Sequence, residues 1–368
     1  MTLRMWLAQP LPREVAAAIE RLAQSEDVAH VAIMPDVHLA EDVCIGTVVA
    51  TRSRLFPAAV GGDIGCGMAA VRFGADARID ERQAARLLAG LYRAVPTVRH
   101  AHKQDLPAAL TDRRLSDPSL DRLAARDGAV EFATLGRGNH FIEFQRDAEN
   151  RLWLMLHSGS RAMGQAIRDF HLRRAWRGGG PSFLDADSED GRAYLGDLQW
   201  ALAYADESRR AMVGAIAGIV AQVLGASAEE SSFISCHHNH VGAEEHLGER
   251  LWVHRKGAIR AREGEPGIVP GSMGTESYLV EGRGVAESLC STSHGAGRAM
   301  SRSEARRRIT VRAFEGELRG VYYDHRLGER LRDEAPSAYK DVRAVLRAEA
   351  ELTRIERVLR PVLSYKGA

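Results

Sequence analysis

Short apolar runs and amphipathic helices follow one another along this chain without a regular strand–helix–strand alternation. Runs typical of strands lie at 28–34, 46–51, 68–73, 141–144, 152–156, 233–235, 251–254, 278–280 and 309–311. Helices are predicted over 13–23, 81–94, 192–224, 301–307 and 337–349, and residues 172–190 are predicted to form a loop. Irregular mixing of this kind predicts an α+β fold rather than a doubly wound parallel sheet. Because no segment is typical of a linker, we expect a single large domain over residues 1–368.

The charge balance limits the classes of function. Lys and Arg number 50 against 49 Asp and Glu, so the formal net charge is +1. A chain of this kind does not gather nucleic acid through its overall field, although a local basic cleft remains open. With 45% apolar residues and charges of balanced sign, intrinsic disorder is excluded.

Cysteine usage and hydropathy predict the compartment. The four cysteines are widely spaced and form no C-x-x-C pair, which does not fit a secreted disulfide scaffold. The first residues, MTLRMWLAQPLPREV, contain no continuous apolar segment of the signal-peptide kind. The most apolar stretch, 211–224, is shorter than the ~20 residues needed to cross a bilayer. We therefore predict a cytoplasmic protein with no membrane association.

Side chains that bind metals recur at separate points of the sequence. Asp63 and Cys66 share a glycine-rich turn, His140 and His157 follow, and residues 236–240 read Cys-His-His-Asn-His. Each of these alone is more often structural. Together they supply a thiolate, a carboxylate and several imidazoles, a set that suits Zn²⁺ or Mn²⁺ better than Mg²⁺. Ligands this scattered favour a catalytic site over a zinc-finger-type site.

A second group of residues is typical of phosphate binding. The segment Ser293–Arg298 reads Ser-His-Gly-Ala-Gly-Arg and precedes the predicted helix at 301–307. Small residues let backbone N–H groups approach phosphate oxygens, and a nearby helix start favours anions. The segment 270–275 offers a similar turn, with positive charge from 254–257; each glycine segment alone could equally be an ordinary turn. Within the first segment, His294 could be a metal ligand, a general acid or a nucleophile.

Arginines recur at helical spacing directly after this segment. Arg298, Arg302 and Arg306 lie at i, i+4 and i+8, so one helix face would carry all three. Such a row is either a solvated face or a track for a nucleic-acid backbone.

Ten segments in this order resemble the RtcB family of GTP-dependent RNA ligases, which join RNA 3′-phosphate or 2′,3′-cyclic phosphate ends to 5′-hydroxyl ends. The matching segments are 34–38 (MPDVH), 62–67 (GDIGCG), 134–143 (TLGRGNHFIE), 157–161 (HSGSR), 237–239 (HHN), 254–258 (HRKGA), 270–275 (PGSMGT), 294–298 (HGAGR), 338–340 (AYK) and 366–367 (KG). They run through nearly the whole chain, so the resemblance implies an RtcB-like fold with a central metal and nucleotide cleft.

The resemblance also implies residue roles. Asp63 and His140 would bind one Mn²⁺, His157 and His238 a second, and the Cys66 thiolate would bridge the two ions. His294 would be the nucleophile that attacks the α-phosphate of GTP and becomes guanylylated. The residues matching positions that hold the guanylate are Asn139, Glu143, Asn239, Lys256, Ser272, Ala296, Gly297, Tyr339 and Lys366.

Two departures from the family pattern bear on the substrate. Residues 39–42 read Leu-Ala-Glu-Asp where the family commonly continues with a Pro-Gly turn, and Ser293 stands where a cysteine is frequent. The chain is also shorter than many members. These features favour RNA repair, with broken tRNA or rRNA as partners, alongside tRNA splicing.

We further expect a monomer that an archease-type activator could assist. For His38, Cys236, His237 and His240, ligation, support behind the ligands and plain packing all stay open.

Two rival functions use part of the same set. A metal-dependent RNA-end phosphodiesterase or phosphatase needs the metal ligands but neither His294 nor the guanylate positions. A non-catalytic RNA-binding module would have lost the metal ligands. Retention of all of these residues favours the ligase.

Overall fold

The computed structural model describes residues 1–178 and 180–367. The strands are β1 Thr2–Met5, β2 Val28–His38, β3 Ile45–Thr51, β4 Arg54–Leu55, β5 Gly67–Asp76, β6 Phe141–Arg146, β7 Arg151–Ser158, β8 Leu184–Asp185, β9 Ala228–His237, β10 Asn239–His246, β11 Glu249–Lys256, β12 Ala258–Arg260, β13 Pro266–Val269, β14 Ser277–Gly282, β15 Ser291–Ser293 and β16 Thr353–Lys366. The helices are α1 Arg13–Ala23, α2 Glu81–Ala94, α3 Ala108–Thr111, α4 Pro118–Leu123, α5 Ala129–Glu131, α6 Arg161–Leu172, α7 Glu189–Leu224, α8 Arg302–Arg308, α9 Val311–Glu317, α10 Gly328–Leu331 and α11 Val342–Ala348.

A seven-stranded antiparallel sheet forms the centre, in the order β13-β14-β16-β6-β7-β5-β9. A second, five-stranded sheet has the order β1-β2-β3-β11-β10, and its pairings are antiparallel except that between β1 and β2. Sheets and helices are thus mixed without parallel strand–helix–strand units in the central sheet, which confirms the predicted α+β class. The single domain over residues 1–368 stays a prediction.

Helix α7 links two parts of the hydrophobic core. Its later turns, through Met212 and Ile216, pack with α2 and the inner face of β5, β6 and β7. Its earlier turns, through Tyr194 and Leu198, pack with α6 and the loop before β5. The helix begins where the Ser188 hydroxyl accepts a hydrogen bond from the Gly191 N–H. It therefore holds the central sheet and the loop before β5 in one packed unit.

Some predicted elements differ from the structure. Residues 309–311 are not a strand: Ile309 is buried after α8, and Thr310 caps α9 by accepting from the Ala313 N–H at 3.2 Å. A short apolar run fits a strand and a buried helix junction equally well, which explains the error. The helix predicted over 337–349 begins only at Val342, because Tyr339 is extended.

The predicted loop at 172–190 is interrupted by β8, which pairs with β4, and α7 already begins at Glu189. Gly179 of this segment lies outside the described residues. Within the described ranges, no helix has both the length and the apolar character needed to cross a bilayer.

Candidate active site

The predicted metal ligands meet at one end of four neighbouring strands. Cys66 directly precedes β5, His140 directly precedes β6, and His157 lies on β7, opposite both Met68 and Phe141. His238 follows β9, and its N–H donates to the Cys66 carbonyl at 2.9 Å. Antiparallel pairing therefore brings together residues that are far apart in the sequence.

The donor atoms of these side chains lie within coordination range of one another. Cys66 Sγ is 3.4 Å from His140 Nε2 and 3.2 Å from His157 Nε2. His140 Nε2 lies 2.9 Å from Asp63 Oδ2, and His157 Nε2 lies 3.4 Å from His238 Nε2. Two overlapping groups result, Cys66 with His157 and His238, and Cys66 with Asp63 and His140, each with donor atoms within 4.8 Å. Cys66 belongs to both groups, as expected for a bridging ligand.

The chemistry of the cluster fits divalent metal ions. Asp63 Oδ1 is buried and has no hydrogen-bond partner among the described residues. His157 Nδ1 bonds to the Asn139 carbonyl at 3.1 Å, which turns Nε2 towards the cluster. Burial lowers the pKa of His157 and His238 well below the usual value, so both imidazoles are neutral and able to ligate. Burial, with the Asp63 carboxylate, raises the pKa of the Cys66 thiol, which a bound cation would counter.

Glycine makes room for the Asp63 carboxylate. A Cβ at position 159 would lie 2.2 Å from Asp63 Oδ1, so a larger residue there would displace this ligand. The glycine of the segment 157–161 thus has a steric reason to be present.

His294 is held beside the metal cluster by a buried carboxylate. Its Nδ1 lies 2.6 Å from Asp36 Oδ2, and its backbone N–H donates to the same oxygen at 3.2 Å. Asp36 is fully buried, and the His294 and His238 rings are 4.8 Å apart. Because Asp36 accepts the Nδ1 proton, the tautomer with a free Nε2 lone pair is favoured.

A cavity of about 320 Å³ adjoins His294. Most of the predicted guanylate residues line it: Asn139, Glu143, Ser272, Ala296, Gly297, Tyr339 and Lys366. Asn239 and Lys256 are not among the lining residues. Asn239 instead donates to the Asp63 carbonyl at 3.1 Å and accepts from the Gly257 N–H at 2.9 Å. The Lys256 Nζ donates to the Glu41 carbonyl at 3.3 Å.

The cavity wall contains buried ionisable groups. Burial raises the pKa of Glu143 to about 7, although its carboxylate accepts from Gln145 Nε2 at 2.8 Å and Ser364 Oγ at 3.2 Å. The Lys366 ammonium is paired with Glu334, which also accepts from the Tyr339 hydroxyl at 2.7 Å. A buried cation and a carboxyl group of shifted pKa are typical of a ligand site.

The predicted arginine row does not form. Arg298 lies outside α8, and Arg302 and Arg306 bind the buried Asp333 at 2.7 and 3.3 Å. The prediction that one helix face carries all three arginines is therefore wrong, and the two that lie on α8 are paired with a carboxylate of the fold. Arg298 itself lines the cavity and stacks near the Tyr339 ring.

Four side chains whose roles were open lie around the cluster rather than in it. His38 lines the cavity, with Nδ1 3.0 Å from the Asp36 carbonyl. His237 pairs with Asp206 at 2.9 Å, His240 lies 3.3 Å from Arg255, and Cys236 lines the outer edge of the central sheet. None of the four belongs to a metal-binding group within the described residues.

Sequence reasoning did not assign Asp36, Phe141 or Glu334. Phe141 lines the cavity, and its ring lies below the Lys366 ammonium at 5.5 Å. The signal for Asp36 was present, because a lone carboxylate in the otherwise apolar run 31–37 must find a partner. Glu334 lies in a polar segment and carried no such signal.

Known proteins resemble this chain along most of its length. A family model described as "tRNA-splicing ligase RtcB" matches residues 18–117 and 101–367. The "RNA-splicing ligase RtcB" of Escherichia coli strain K12 is 36% identical over 370 residues, covering 92% of this chain and 90% of the relative. The "tRNA-splicing ligase RtcB" of Archaeoglobus fulgidus is 29% identical, covering 91% of this chain and 87% of the relative. With the ligand cluster and the His294 cavity in place, the chain belongs to the RtcB family.

Proposed function

We propose that this protein is an RNA ligase that joins RNA 3′-phosphate or 2′,3′-cyclic phosphate ends to 5′-hydroxyl ends, with GTP and Mn²⁺. The observation that carries the proposal is His294, oriented by Asp36 at 2.6 Å, between a nucleotide-sized cavity and a cluster of metal ligands. A phosphodiesterase would need the cluster but not an oriented imidazole.

His294 is suited to attack the α-phosphorus of GTP. While Nδ1–H stays hydrogen-bonded to Asp36, the Nε2 lone pair forms the N–P bond and the bond to the bridging oxygen breaks. Pyrophosphate leaves with the electron pair, and Asp36 stabilises the positive charge that develops on the ring. The product is His294 carrying GMP.

The cavity walls supply contacts for the guanylate. The Glu143 carboxylate can accept hydrogen bonds from the two adjacent N–H donors on the guanine edge. Lys366 and Arg298 place positive charge at the same cavity for the phosphate. Asn139, Ser272, Ala296, Gly297 and Tyr339 complete the binding site, and Asn239 and Lys256 would contact the nucleotide from the side of the metal ligands.

The same residues would hold two Mn²⁺ ions, Asp63 and His140 one, His157 and His238 the other, with Cys66 shared. When bound, such ions neutralise phosphate charge and orient attacking and leaving oxygens. Cys66 must stay reduced so that its thiolate can ligate, and it is one of the free cysteines of this chain. This requirement supports a reducing cytoplasmic compartment.

Joining of the RNA follows in two transfers. An oxygen of the RNA 3′-phosphate attacks the GMP phosphorus, and the N–P bond to His294 breaks. The 5′-hydroxyl then attacks the 3′-phosphorus, GMP leaves, and a phosphodiester forms; a cyclic phosphate end is first opened by water. Broken tRNA or rRNA would be the substrate, in repair or splicing, with the protein acting as a monomer that an archease-type activator could assist.

Incubation with α-labelled GTP and Mn²⁺, followed by denaturing electrophoresis, tests the proposal. We expect the wild-type protein to retain label that is acid-labile, as a phosphoramidate is, and His294→Ala to retain none. Asp36→Asn should label at least about 100-fold more slowly, because the tautomer is no longer fixed. Unlabelled wild-type protein that binds Mn²⁺ and removes RNA 3′-phosphates would contradict the ligase and support the phosphatase.

A further inference from the structure

A second, basic groove of about 710 Å³ lies beside the His294 cavity. Its walls carry the exposed side chains of Arg146, Arg319, Arg343 and Arg360. The net charge of the whole chain is only +1, so this groove is a local concentration of positive charge. Apart from Tyr339, its wall residues are not among those assigned above to the metal ions or the guanylate.

Two of these arginines oppose one another across a strand pair. Arg146 on β6 and Arg360 on β16 are direct partners in the antiparallel register. Like charges in this position repel, which destabilises the pairing unless an anion lies between or above them. Of these two, Glu276 compensates Arg360 only, so the Arg146 charge opposite it is consistent with a site for a negatively charged ligand.

The two acidic residues of the described groove wall, Glu276 and Asp341, do not neutralise its four arginines. Glu276 is shared, with one oxygen 2.7 Å from Arg343 Nη2 and the other 2.9 Å from Arg360 Nη2. Arg146 and Arg319 form no ion pair within residues 1–178 and 180–367, the part of the chain that the structure describes. Two guanidinium groups are therefore free to bind an anion.

Backbone hydrogen bonds fix Arg319 near the strand pair. The turn that follows it is attached to β16, because Tyr322 donates to the Val362 carbonyl and accepts from the Ser364 N–H, both at 2.8 Å. Gly320 has a φ of +89°, which turns the chain at this point. These guanidinium groups thus come from two paired strands and from a turn that is hydrogen-bonded to one of them, so their backbone positions are fixed.

The groove and the His294 cavity share a wall. Tyr339 lines both, and the segment 270–277 separates them, with Ser272 on the cavity side and Thr275 on the groove side. A polymer whose end lies at His294 could therefore continue into the groove.

From these observations we propose that the groove binds the phosphodiester backbone of the RNA strand leading away from the ends being joined. The inference rests on the proposed ligase function and adds where the body of the substrate lies. Guanidinium groups bind phosphates irrespective of base, so this surface contributes affinity and not sequence preference. Four arginines line the groove, and Tyr339 is the single aromatic side chain among its described wall residues, so we expect contacts to phosphates rather than base stacking.

The double variant Arg146→Ser, Arg319→Ser tests the proposal without breaking an ion pair. Its matched control is Arg82→Ser, Arg250→Ser, which removes two exposed arginines that line neither the groove nor the cavity. Binding of fluorescent RNA is measured over a range of salt concentrations, without GTP, for a 3′-phosphorylated strand and a 5′-hydroxyl strand. Each strand is used at about 20 and about 3 nucleotides, on either side of the ~4–16 nucleotides that single-strand sites cover.

We expect the groove variant to bind at least one of the longer strands about 10-fold more weakly than wild type. The slope of log affinity against log salt should become less negative by about 1.4, or ~0.7 for each lost single-strand phosphate contact. The shorter strands and the control variant should behave as wild type. Equal salt slopes for groove variant and wild type on both longer strands would overturn the proposal, and would leave another acidic partner for the groove.

Labelling with α-labelled GTP separates this result from the ligase function. The groove variant should be guanylylated at the wild-type rate, since its changes lie outside the His294 cavity. A wild-type protein that is never guanylylated would contradict the proposed function, while the salt slopes would still decide whether the groove binds RNA.

Discussion

At the scale of single residues, Arg209 is a buried cation with a structural task beside the metal ligands. Its Nη1 donates to the Gly65 and Ser158 carbonyls, both at 2.8 Å, and these carbonyls neighbour Cys66 and His157. Its Nη2 bonds to Asp206 at 2.7 Å, which compensates the buried charge. Arg209 therefore ties the turn that carries Cys66 to the end of β7, which carries His157, through one planar group.

Replacing Arg209 by Lys should weaken metal binding by about 10- to 100-fold, the usual cost of losing support behind a ligand. Lysine keeps the charge but lacks the planar fork, so it cannot reach both carbonyls and Asp206 together. Calorimetric titration of Mn²⁺ measures the effect. Arg255→Lys is the matched control, because Arg255 is equally buried and pairs with Glu244, not with the ligand loops. An equal loss of Mn²⁺ affinity in the two variants would show a general effect on folding and not a specific role of Arg209.

Glu143 makes stability depend on pH. Burial raises its pKa from 4.5 to about 7, so the folded state holds this proton more tightly than the unfolded state. The protonated Glu143 therefore contributes its full stabilisation of the folded state below about pH 4.5. This contribution is lost as the pH rises through 7, which lowers the free energy of unfolding by about 3 kcal/mol.

Glu143→Gln should remove this pH dependence, because glutamine stays neutral. Relative to wild type, the variant should gain about 3 kcal/mol in the free energy of unfolding between pH 4.5 and pH 8. Urea unfolding at both pH values measures the difference, with the exposed Glu230→Gln as control. A difference that stays constant with pH would contradict the raised pKa of Glu143.

Residue type predicted which side chains would cluster as candidate metal ligands, but it did not predict the residues that support them. Asp63, Cys66, His140 and His157 carry chemistry that can be recognised in a sequence, and the fold brings them together. The role of Arg209 depends on burial and on two carbonyl partners, and neither is visible in a helix that contains many charged residues.

At the scale of elements, the end of α7 is fixed by a glycine. Gly225 follows Leu224 with φ of +69°, and no atom lies within 4 Å of where its Cβ would be. Backbone conformation alone therefore decides the effect of a substitution there.

Gly225→Ala should lower the free energy of unfolding by about 1 kcal/mol, because alanine disfavours the left-handed region. The matched control is Gly218→Ala, inside the same helix and with equally open space, which should raise it by about 0.5–1 kcal/mol. Chemical denaturation of the two variants measures both changes. We expect the two changes in the free energy of unfolding to have opposite signs. Changes of the same sign would contradict the role of Gly225 as the C-terminal cap of α7.

The secondary-structure predictions succeeded where the helical spacing of apolar residues extends over several turns. The helices predicted over 13–23 and 81–94 have these bounds in the structure, and each buries one continuous face. The helix predicted from Ser337 begins late, because Tyr339 is extended and lines both the cavity and the groove. Local sequence does not reveal such a tertiary requirement.

At the scale of the whole molecule, strand order determines where the site forms. The sequence indicated the candidate metal ligands, but their proximity depends on β6, β7, β5 and β9 lying side by side. Such long-range pairing leaves no local signature, so the shape of the cavity and the groove could not be predicted. The C-terminal strand β16 contributes to both, through Lys366 in the cavity and Arg360 in the groove.

Because the ligands come from separate parts of the chain, metal binding should stabilise the whole fold. An ion that binds only the folded state adds about 3 kcal/mol to the free energy of unfolding at 100 times its Kd. Cys66→Ser should lose most of this increment, since Cys66 belongs to both ligand groups.

Thermal or urea unfolding with and without Mn²⁺ measures the increment. Cys44→Ser is the matched control, because Cys44 is an equally buried free thiol that packs in a different hydrophobic cluster. Both variants lose the packing of a buried sulfur, but only Cys44→Ser should keep the response to Mn²⁺. If Cys66→Ser were stabilised as strongly as wild type, the thiol would not bridge the ions, and Asp63 and the three histidines would have to hold them alone.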